Sequence, residues 1–223
     1  MIDIHTHVIP FVDDGSKSLE DSISMIKHEI EIGVDTIIAT PHHIFHRYEC
    51  SVEEIKKNFE LLKEEVKKQN LNIKLLLGQE IYYSSREDII GLLQEGKLLT
   101  LNNTNKVLLE FSFTREPEDL TDIVYNFSIK GYDLIIAHVE RYEWITLDKV
   151  LMLKKEGALI QVNSDAIVGK TTAKEKRFVK KLIKNNLVDV VASDTHSFRP
   201  STIDLAYKRV RDEKLFHLQQ ETL

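Results

Sequence analysis

A single cysteine, Cys50, stands among 223 residues. It cannot close an internal disulfide or furnish the thiolate set of a structural zinc site, and such cysteine usage suits a reducing compartment. Glycine and proline are sparse as well, at eight and four. No strand candidate runs into a G-x-G-x-x-G loop, and Gly169-Lys170-Thr171 lacks the upstream glycine and strand of a Walker loop. No linker, repeat or low-complexity stretch divides the sequence, so one domain over residues 1–223 is expected. Long apolar runs are missing: stretches such as Leu75-Leu76-Leu77 fall far short of the roughly 20 residues that span a bilayer. The opening Met1-Ile2-Asp3-Ile4-His5 has no basic region of a secretory signal. Positive charge is in deficit, 30 Lys+Arg against 36 Asp+Glu for a net −6. That balance gives no support to a general nucleic-acid or anionic-membrane binder. A cytoplasmic protein without membrane insertion is the expectation.

What the chain does have is histidine, nine of them. With one cysteine present, any metal site must be built from imidazole and carboxylate. Short apolar runs alternate with amphipathic stretches throughout. Strands are expected at Ile2–Ile4, Val34–Thr40, Ile73–Leu77, Val107–Phe111, Leu134–His138, Leu159–Asn163 and Val188–Ala192. Leu19, Ile23, Ile26 and Ile30 recur at helical spacing, as do Val52, Ile55, Phe59, Leu62 and Val66. Ser51 before Glu54 reads as a capping box, and Ser18 before Asp21 as a weaker one. Further helices fit 118–130, 147–156, 173–187 and 201–213. Seven strand–helix units with uniformly apolar strands predict an α/β fold with a parallel sheet covered on both faces. An open doubly wound sheet and a distorted barrel both satisfy that pattern.

In either architecture the C-terminal ends of the strands form the ligand-binding face. Six of the seven expected strands end at or near a candidate metal ligand. The first runs into His5-Thr6-His7 and Asp13-Asp14-Gly15, the second into Thr40-Pro41-His42-His43, and the third into Gly78-Gln79-Glu80. Glu110, His138 and Ser193-Asp194-Thr195-His196 follow at later ends. His5 and His7 are two apart, so their side chains leave the strand on one side and can reach one ion. The helices carry only Glu and Lys of a solvated kind. Imidazole and carboxylate without thiolate suit manganese, iron or zinc. These ligands exceed what one tetrahedral ion can use, so two or three ions are expected, with a carboxylate such as Glu80 bridging. Closely spaced divalent ions clamp phosphoryl oxygens and yield hydroxide at neutral pH. Arg141 and Arg199, beside His138 and His196, add fixed positive charge for phosphate.

Taken in order, Ile4-His5-Thr6-His7, Asp13-Asp14-Gly15, Thr40-Pro41-His42-His43, Gly78-Gln79-Glu80-Ile81, Glu110-Phe111, His138-Val139-Glu140-Arg141 and Ser193-Asp194-Thr195-His196 resemble the polymerase and histidinol phosphatase (PHP) superfamily. Within it the chain is most similar to the bacterial capsular and exopolysaccharide tyrosine-protein phosphatases, the CpsB/CapC family. Val139 and Ser16 stand where many members have proline. The resemblance implies a distorted (β/α)7 TIM-like barrel and a trinuclear, usually manganese, centre. It also implies dephosphorylation of phosphotyrosine on a partner bacterial tyrosine kinase, with room for a homo-oligomer. By motif, it assigns His5, His7, Glu80 and Asp194 to one ion, Glu80, Glu110 and His138 to a second, and Asp14, His42 and His196 to a third. Arg141 and Arg199 would hold the phosphate. The leaving phenolate, with an ordinary pKa of about 10, needs a proton or a cation; Asp194, His196 and His43 are all open to that role.

Other residues read as bland. Cys50 is followed by Ser51-Val52-Glu53-Glu54, a carboxylate-bearing helix start that repels phosphate, and so is not expected to be a nucleophile. His28 reads as solvated, His46 and His217 as structural or exposed, and Lys180, Lys181 and Lys184 as a solvated helix face. Tyr82, Tyr83 and Trp144 are equally suited to a cleft wall and to packing, and Asn163 and Ser164 to hydrogen bonding near the site. Rival functions are a histidinol-phosphate phosphatase, a polymerase-associated exonuclease, and a metal-stabilised module that binds a kinase without hydrolysis.

Overall fold

Strand and helix alternate along the chain as its hydrophobic pattern demands; the computed structural model describes residues 1–210. The elements are β1 (Ile2–Thr6), α1 (Leu19–Glu31), β2 (Thr36–Ala39), β3 (His42–His43), α2 (Val52–Lys68), β4 (Lys74–Leu77), β5 (Glu80–Tyr82), α3 (Ile89–Gln94) and β6 (Lys106–Glu110). They continue as α4 (Leu120–Ile129), β7 (Asp133–Ile136), α5 (Leu147–Lys155), β8 (Leu159–Asn163), α6 (Ser164–Val168), α7 (Ala173–Lys184), β9 (Val190–Ala192) and α8 (Ile203–Val210). Among the described residues no helix is long and apolar enough to cross a membrane.

All the strand pairings are parallel, in the orders β1-β2-β4 and β3-β5-β6-β7-β8-β9. β2 with β3, and β4 with β5, each form one interrupted stave, so nine short strands make seven staves. The ends meet at the rim: Thr6 bridges Thr195 in parallel, His7 N–H donates to the Thr195 carbonyl at 3.0 Å, and Asp194 N–H to the His5 carbonyl at 2.9 Å. The sheet therefore curls into a distorted seven-stave α/β barrel, resolving the choice between open sheet and barrel. Ile4, Ile38, Leu108, Ile135 and Val190, each from a different strand, cluster inside the ring. The opposite strand faces pack on the helices through two larger apolar clusters.

The expected strands over Val34–Thr40 and Ile73–Leu77 are shorter than the pattern suggested, and each is followed by a second piece. Pro41 has no N–H to continue a ladder. At Gly78 the chain runs against Leu101 so closely that a Cβ would lie 2.6 Å from its Cδ2. The breaks re-aim the second pieces: His42 comes into register with Glu80, placing two candidate ligands side by side. The Ser51–Glu54 capping box forms, Ser18 accepts from Asp21 N–H, and a second box, Thr172–Glu175, starts α7. The helix expected over 173–187 stops at Lys184, where Asn186 turns the chain at φ 55°. The short α3 and α6 were not expected. The end of the helix read over 201–213, and His217, lie outside the described residues.

Two readings of the helices need correction. Glu29 on α1 is fully buried, not solvated, and burial, with Asp3 nearby, pushes its pKa up to about 9. His28 is half-buried, and its Nε2–H donates to the Ser201 carbonyl at 2.9 Å.

Candidate metal centre

Each turn at the barrel's C-terminal rim delivers polar atoms to one point. At the first, Gly15 packs on His7 so tightly that a Cβ would lie 2.2 Å from the His7 carbonyl oxygen, and Ser16 N–H donates to that oxygen at 3.1 Å. The glycine lets the Asp13-Asp14 loop fold back onto the strand that bears His7. Asp13 then holds two neighbours: its Oδ2 lies 2.7 Å from His7 Nδ1 and accepts from His42 N–H at 2.9 Å.

Three histidines are held the same way. His7 Nδ1 faces the Asp13 carboxylate, His5 Nδ1 faces Gln161 Oε1 at 3.2 Å, and His196 Nδ1 faces the Asp194 backbone carbonyl at 3.0 Å. Each partner is an acceptor, so each Nδ1 carries a proton and each Nε2 is turned toward the centre, where a cation would take its lone pair. Gln161 is itself oriented. Its Oε1 accepts from His138 N–H at 2.8 Å, which turns its Nε2 toward Asn163 Oδ1 at 2.8 Å, and Asn163 Nδ2 then donates to Asp194 Oδ2 at 2.9 Å. A backbone N–H can only donate, so one peptide group fixes both amides.

Around this frame the remaining groups converge. Glu80 Oε2 lies 3.1 Å from His5 Nε2, 3.3 Å from His7 Nε2 and 3.0 Å from His42 Nδ1. Glu80 Oε1 lies 3.0 Å from His138 Nε2, which is 3.5 Å from Glu110 Oε1. Asp14 Oδ1 lies 3.6 Å from His42 Nε2 and 3.7 Å from His196 Nε2. Four sets of ligand atoms each fall within 4.8 Å of one another: His7, Asp14, His42 and His196; His5, Glu80 and His138; His5, His7 and Asp194; His42, Glu80 and Glu110. Two of the residues, His138 at φ 29° and Asp194 at φ 52°, adopt backbone conformations that non-glycine residues rarely take.

The electrostatics fit cations. Burial and the neighbouring Glu80 push Glu110 up to about 9, whereas Glu80 is held well below the ordinary range because His5 and His42 outweigh its burial. Burial and then the Arg141 charge drop His138 to about 4, and the His196 contact draws Asp14 down to about 2. Glu80 Oε2, Asp14 Oδ1 and His42 Nδ1 are buried without a hydrogen bond. Carboxylate and imidazole atoms crowded this closely away from water are costly to hold in a protein alone. They are the donor set of oxygen- and nitrogen-ligated divalent ions.

Arg141 and Arg199 both point at Asp194. Arg141 Nη1 donates to Asp194 Oδ2 at 3.1 Å, with its guanidinium 4.2 Å from the Phe113 ring centroid. Arg199 Nη2 lies 2.6 Å from Asp194 Oδ2 and also donates to the Asp194 carbonyl. Despite its burial, Asp194 is held well below the ordinary carboxylate range by His5, His7 and Arg199.

The family described as capsular polysaccharide synthesis, CpsB/CapC, matches residues 1–213. The chain belongs to the CpsB/CapC family. It is 36% identical over 217 residues to the tyrosine-protein phosphatase CpsB of Streptococcus agalactiae, covering 93% of this chain and 88% of that protein. It is 35% identical over 203 residues to the tyrosine-protein phosphatase YwqE of Bacillus subtilis, covering 89% and 78%. Among solved structures, one from work on Bacillus subtilis YwqE and Streptococcus pneumoniae CpsB, described as metal-dependent tyrosine phosphatases, superposes with a TM-score of 0.90. It is 32% identical, and the match covers 99% of this chain and 90% of that one.

In this CpsB/CapC chain the nine residues expected as ligands all face the one rim, and His7 joins the group expected of Asp14, His42 and His196 alone. His43 stands outside these groups, its Nε2 2.9 Å from Glu87 Oε1. Ser164 faces Thr202 rather than the rim. Trp144 packs, stacked on Tyr142 and donating to the Ser112 carbonyl, whereas Tyr82 and Tyr83 line a cavity of about 430 Å³ beside the centre. Cys50 Sγ donates to the Val12 carbonyl, and burial with Glu54 and Asp13 pushes its thiol up, away from a thiolate. Sequence reasoning missed the supports Asp13 and Gln161. Asp13 sat inside the quoted Asp-Asp-Gly turn, and Gln161 shares a strand face with Asn163 at the strand end that offers no ligand.

Proposed function

We propose that this protein is a metal-dependent protein-tyrosine phosphatase that hydrolyses phosphotyrosine on a protein partner. The observation that carries the reading is the rim itself, where three imidazoles are each tied at Nδ1 and turn their Nε2 inward, those of His5 and His7 onto Glu80 and that of His196 onto Asp14. The chain's 36% identity to a tyrosine-protein phosphatase over 93% of its length supports the same reading. In this proposal His5, His7, Asp14, His42, Glu80, Glu110, His138, Asp194 and His196 hold two or three divalent ions, with Glu80 bridging. Manganese is our choice of metal, with iron and zinc fitting the same donors. Residues 1–223 act as one catalytic unit in the cytoplasm, on a bacterial tyrosine kinase engaged in capsule or exopolysaccharide synthesis.

Bound there, the ions supply Lewis acidity to the phosphoryl oxygens and a water acidified to neutral pH. The residues of the chain do the rest. Arg141 and Arg199 are each about one-third exposed, so each has N–H groups free for phosphate while Asp194 fixes its direction. The planar guanidinium matches two phosphate oxygens at once. Phe113 under Arg141 restricts that side chain further. Asp194, held ionised, suits anchoring the arginines better than delivering a proton to the leaving phenolate. Asp13, Gln161 and the Asp194 carbonyl hold the protons of His7, His5 and His196 at Nδ1, which keeps those rings from delivering or taking a proton there.

The deciding experiment strips the protein of metal, reloads it with Mn, Zn, Fe or Mg, and follows turnover of p-nitrophenyl phosphate, a phosphotyrosine peptide and histidinol phosphate. Metal-restored activity favouring the peptide is expected. Activity indifferent to stripping would overturn the metal reading. A preference for histidinol phosphate would move the protein to small-molecule phosphatases, and no turnover with any ion would make it a binding module.

A further inference from the structure

Helix α7 has a charge pattern unlike the rest of the chain. Lys174, Lys176, Arg177, Lys180, Lys181 and Lys184 stand against one acid, Glu175, in a protein whose net charge is −6. All six basic side chains are exposed. On α2, α5 and α8 at least one lysine finds a carboxylate: Lys63 with Glu60, Lys68 with Glu65, Lys154 with Asp189, Lys208 with Asp204. Among the described residues no such ion pair is made on α7. Lys174 Nζ donates to the Glu143 carbonyl at 3.3 Å and Arg177 Nε to the Ala173 carbonyl at 3.0 Å. Glu175 is committed to the capping box with Thr172.

This surface adjoins the turn that carries Arg141. Lys174, Arg177 and Lys181, at i, i+3 and i+7, line a cavity of about 350 Å³ with Glu140 and Tyr142, the residues flanking Arg141. Twelve helical residues span about 18 Å, the length of five or six residues of extended chain. The apolar side of α7 is already used, with Val179 and Leu182 buried in the core, and none of the large exposed hydrophobic side chains lies on it. A helix that binds a lipid surface keeps an apolar face free to enter it; α7 does not.

We propose that α7 is the docking surface for an acidic segment of the phosphotyrosine-bearing protein, laid along Lys174, Arg177 and Lys181 with its phosphotyrosine reaching the rim beside Arg141. The proposal rests on the phosphotyrosine reading of the site and adds what the substrate carries: Asp or Glu residues within several positions of the tyrosine. Exposed charges of this kind act through encounter rate and specificity, and they are screened by salt.

The test compares the parent with K174E/R177E/K181E and the milder K174Q/R177Q/K181Q. Substrates are p-nitrophenyl phosphate and two phosphotyrosine peptides of equal length, one with acidic and one with neutral flanks. The parent is expected to favour the acidic peptide, and that preference should fade as sodium chloride rises from about 0.05 to 0.5 M. Charge reversal is expected to raise KM for the acidic peptide about tenfold, a shift of about 1.4 kcal/mol. KM for the neutral peptide and turnover of p-nitrophenyl phosphate should stay within about twofold, and the glutamine variant should fall between. A parent indifferent to flanking charge, or a reversed variant that keeps its preference, would overturn the docking surface. So would loss of binding to phosphatidylglycerol vesicles in the variants with peptide kinetics unchanged, which would assign the ridge to a membrane. If the parent turns over p-nitrophenyl phosphate but neither peptide, the phosphotyrosine reading itself fails first, and the docking surface with it.

Discussion

Replacing Gln161 by Leu removes a side chain that never touches the rim's centre, and its effect is calculable. The buried His138 N–H loses its 2.8 Å acceptor, His5 Nδ1–H loses the oxygen at 3.2 Å, and Asn163 Oδ1 loses its donor. Leaving a buried polar group unsatisfied costs about 1–3 kcal/mol, and three such losses in one network do not add fully. A destabilisation of about 2–5 kcal/mol is expected for the metal-free protein, lowering Tm by roughly 4–20 °C for a chain of this size. The second effect is on the centre. His5, no longer held as the Nδ1–H tautomer, must be ordered at the moment an ion binds, and Asp194 is released through Asn163. Loss of such a support costs about 10- to 100-fold in metal affinity or activity. Thermal melts of the stripped protein and calorimetric titration with Mn measure the two effects separately. Gln161→Glu keeps an acceptor for both donors and should recover much of the affinity, which a merely steric role for Gln161 would not predict. If Gln161→Leu melts within a degree of the parent and binds Mn as tightly, the amide chain is not what orients His5 and Asp194.

Glu29→Gln tests the buried acid of α1. With the folded pKa raised from 4.5 to about 9, the native state binds the extra proton, so stability is full below the unfolded value. It falls as pH climbs through the window, by up to about 1.4 kcal/mol per unit. The glutamine variant should show a flatter decline of Tm between those pH values, and an unchanged slope would refute the assignment. Cys50→Ser should leave turnover within about twofold and iodoacetamide should not inactivate the parent; a dead variant would revive a thiol mechanism. His5→Ala and His42→Ala should each remove turnover by more than about a hundredfold while far-ultraviolet circular dichroism stays native, with bound Mn per chain falling in elemental analysis. Metal-independent activity in either would end the proposed mechanism.

Much of this was legible in the chain. The seven apolar runs announced a parallel α/β fold because buried strands have little else to be, and polar residues at the ends of such runs have few structural reasons to be there. His5, His7, Glu80 and Asp194 declared themselves in that way. What stayed hidden depends on contacts between distant residues. Gln161 is an unremarkable amide until His138 is seen to lie beside it. Pro41 and Gly78 were visible, but that they would split two staves and set His42 against Glu80 needed the barrel's curvature. Glu29 followed the helical pattern as a polar residue, and only the packing of α1 over Asp3 shows it buried. Lys180, Lys181 and Lys184 of α7 were read as a solvated face, and solvated they are, with Lys174, Lys176 and Arg177 exposed beside them. Their lack of carboxylate partners emerged only beside the paired lysines of α2, α5 and α8.

The barrel's seam has a consequence for how the protein is made. His5 and His7 come from the first stave, Asp194 and His196 from the last, and the two staves meet along the short seam where Thr6 bridges Thr195 and Asp194 N–H donates to the His5 carbonyl. A ribosome must therefore release almost the whole described chain before these four side chains share a space. Closing a loop that long costs entropy that no early contact repays. A chain stopped short of residue 194 lacks the carboxylate that faces His5 and His7 across the seam. A cation held across the seam joins the first stave to the last, so the feature that would make the protein a catalyst also marks the barrel as closed.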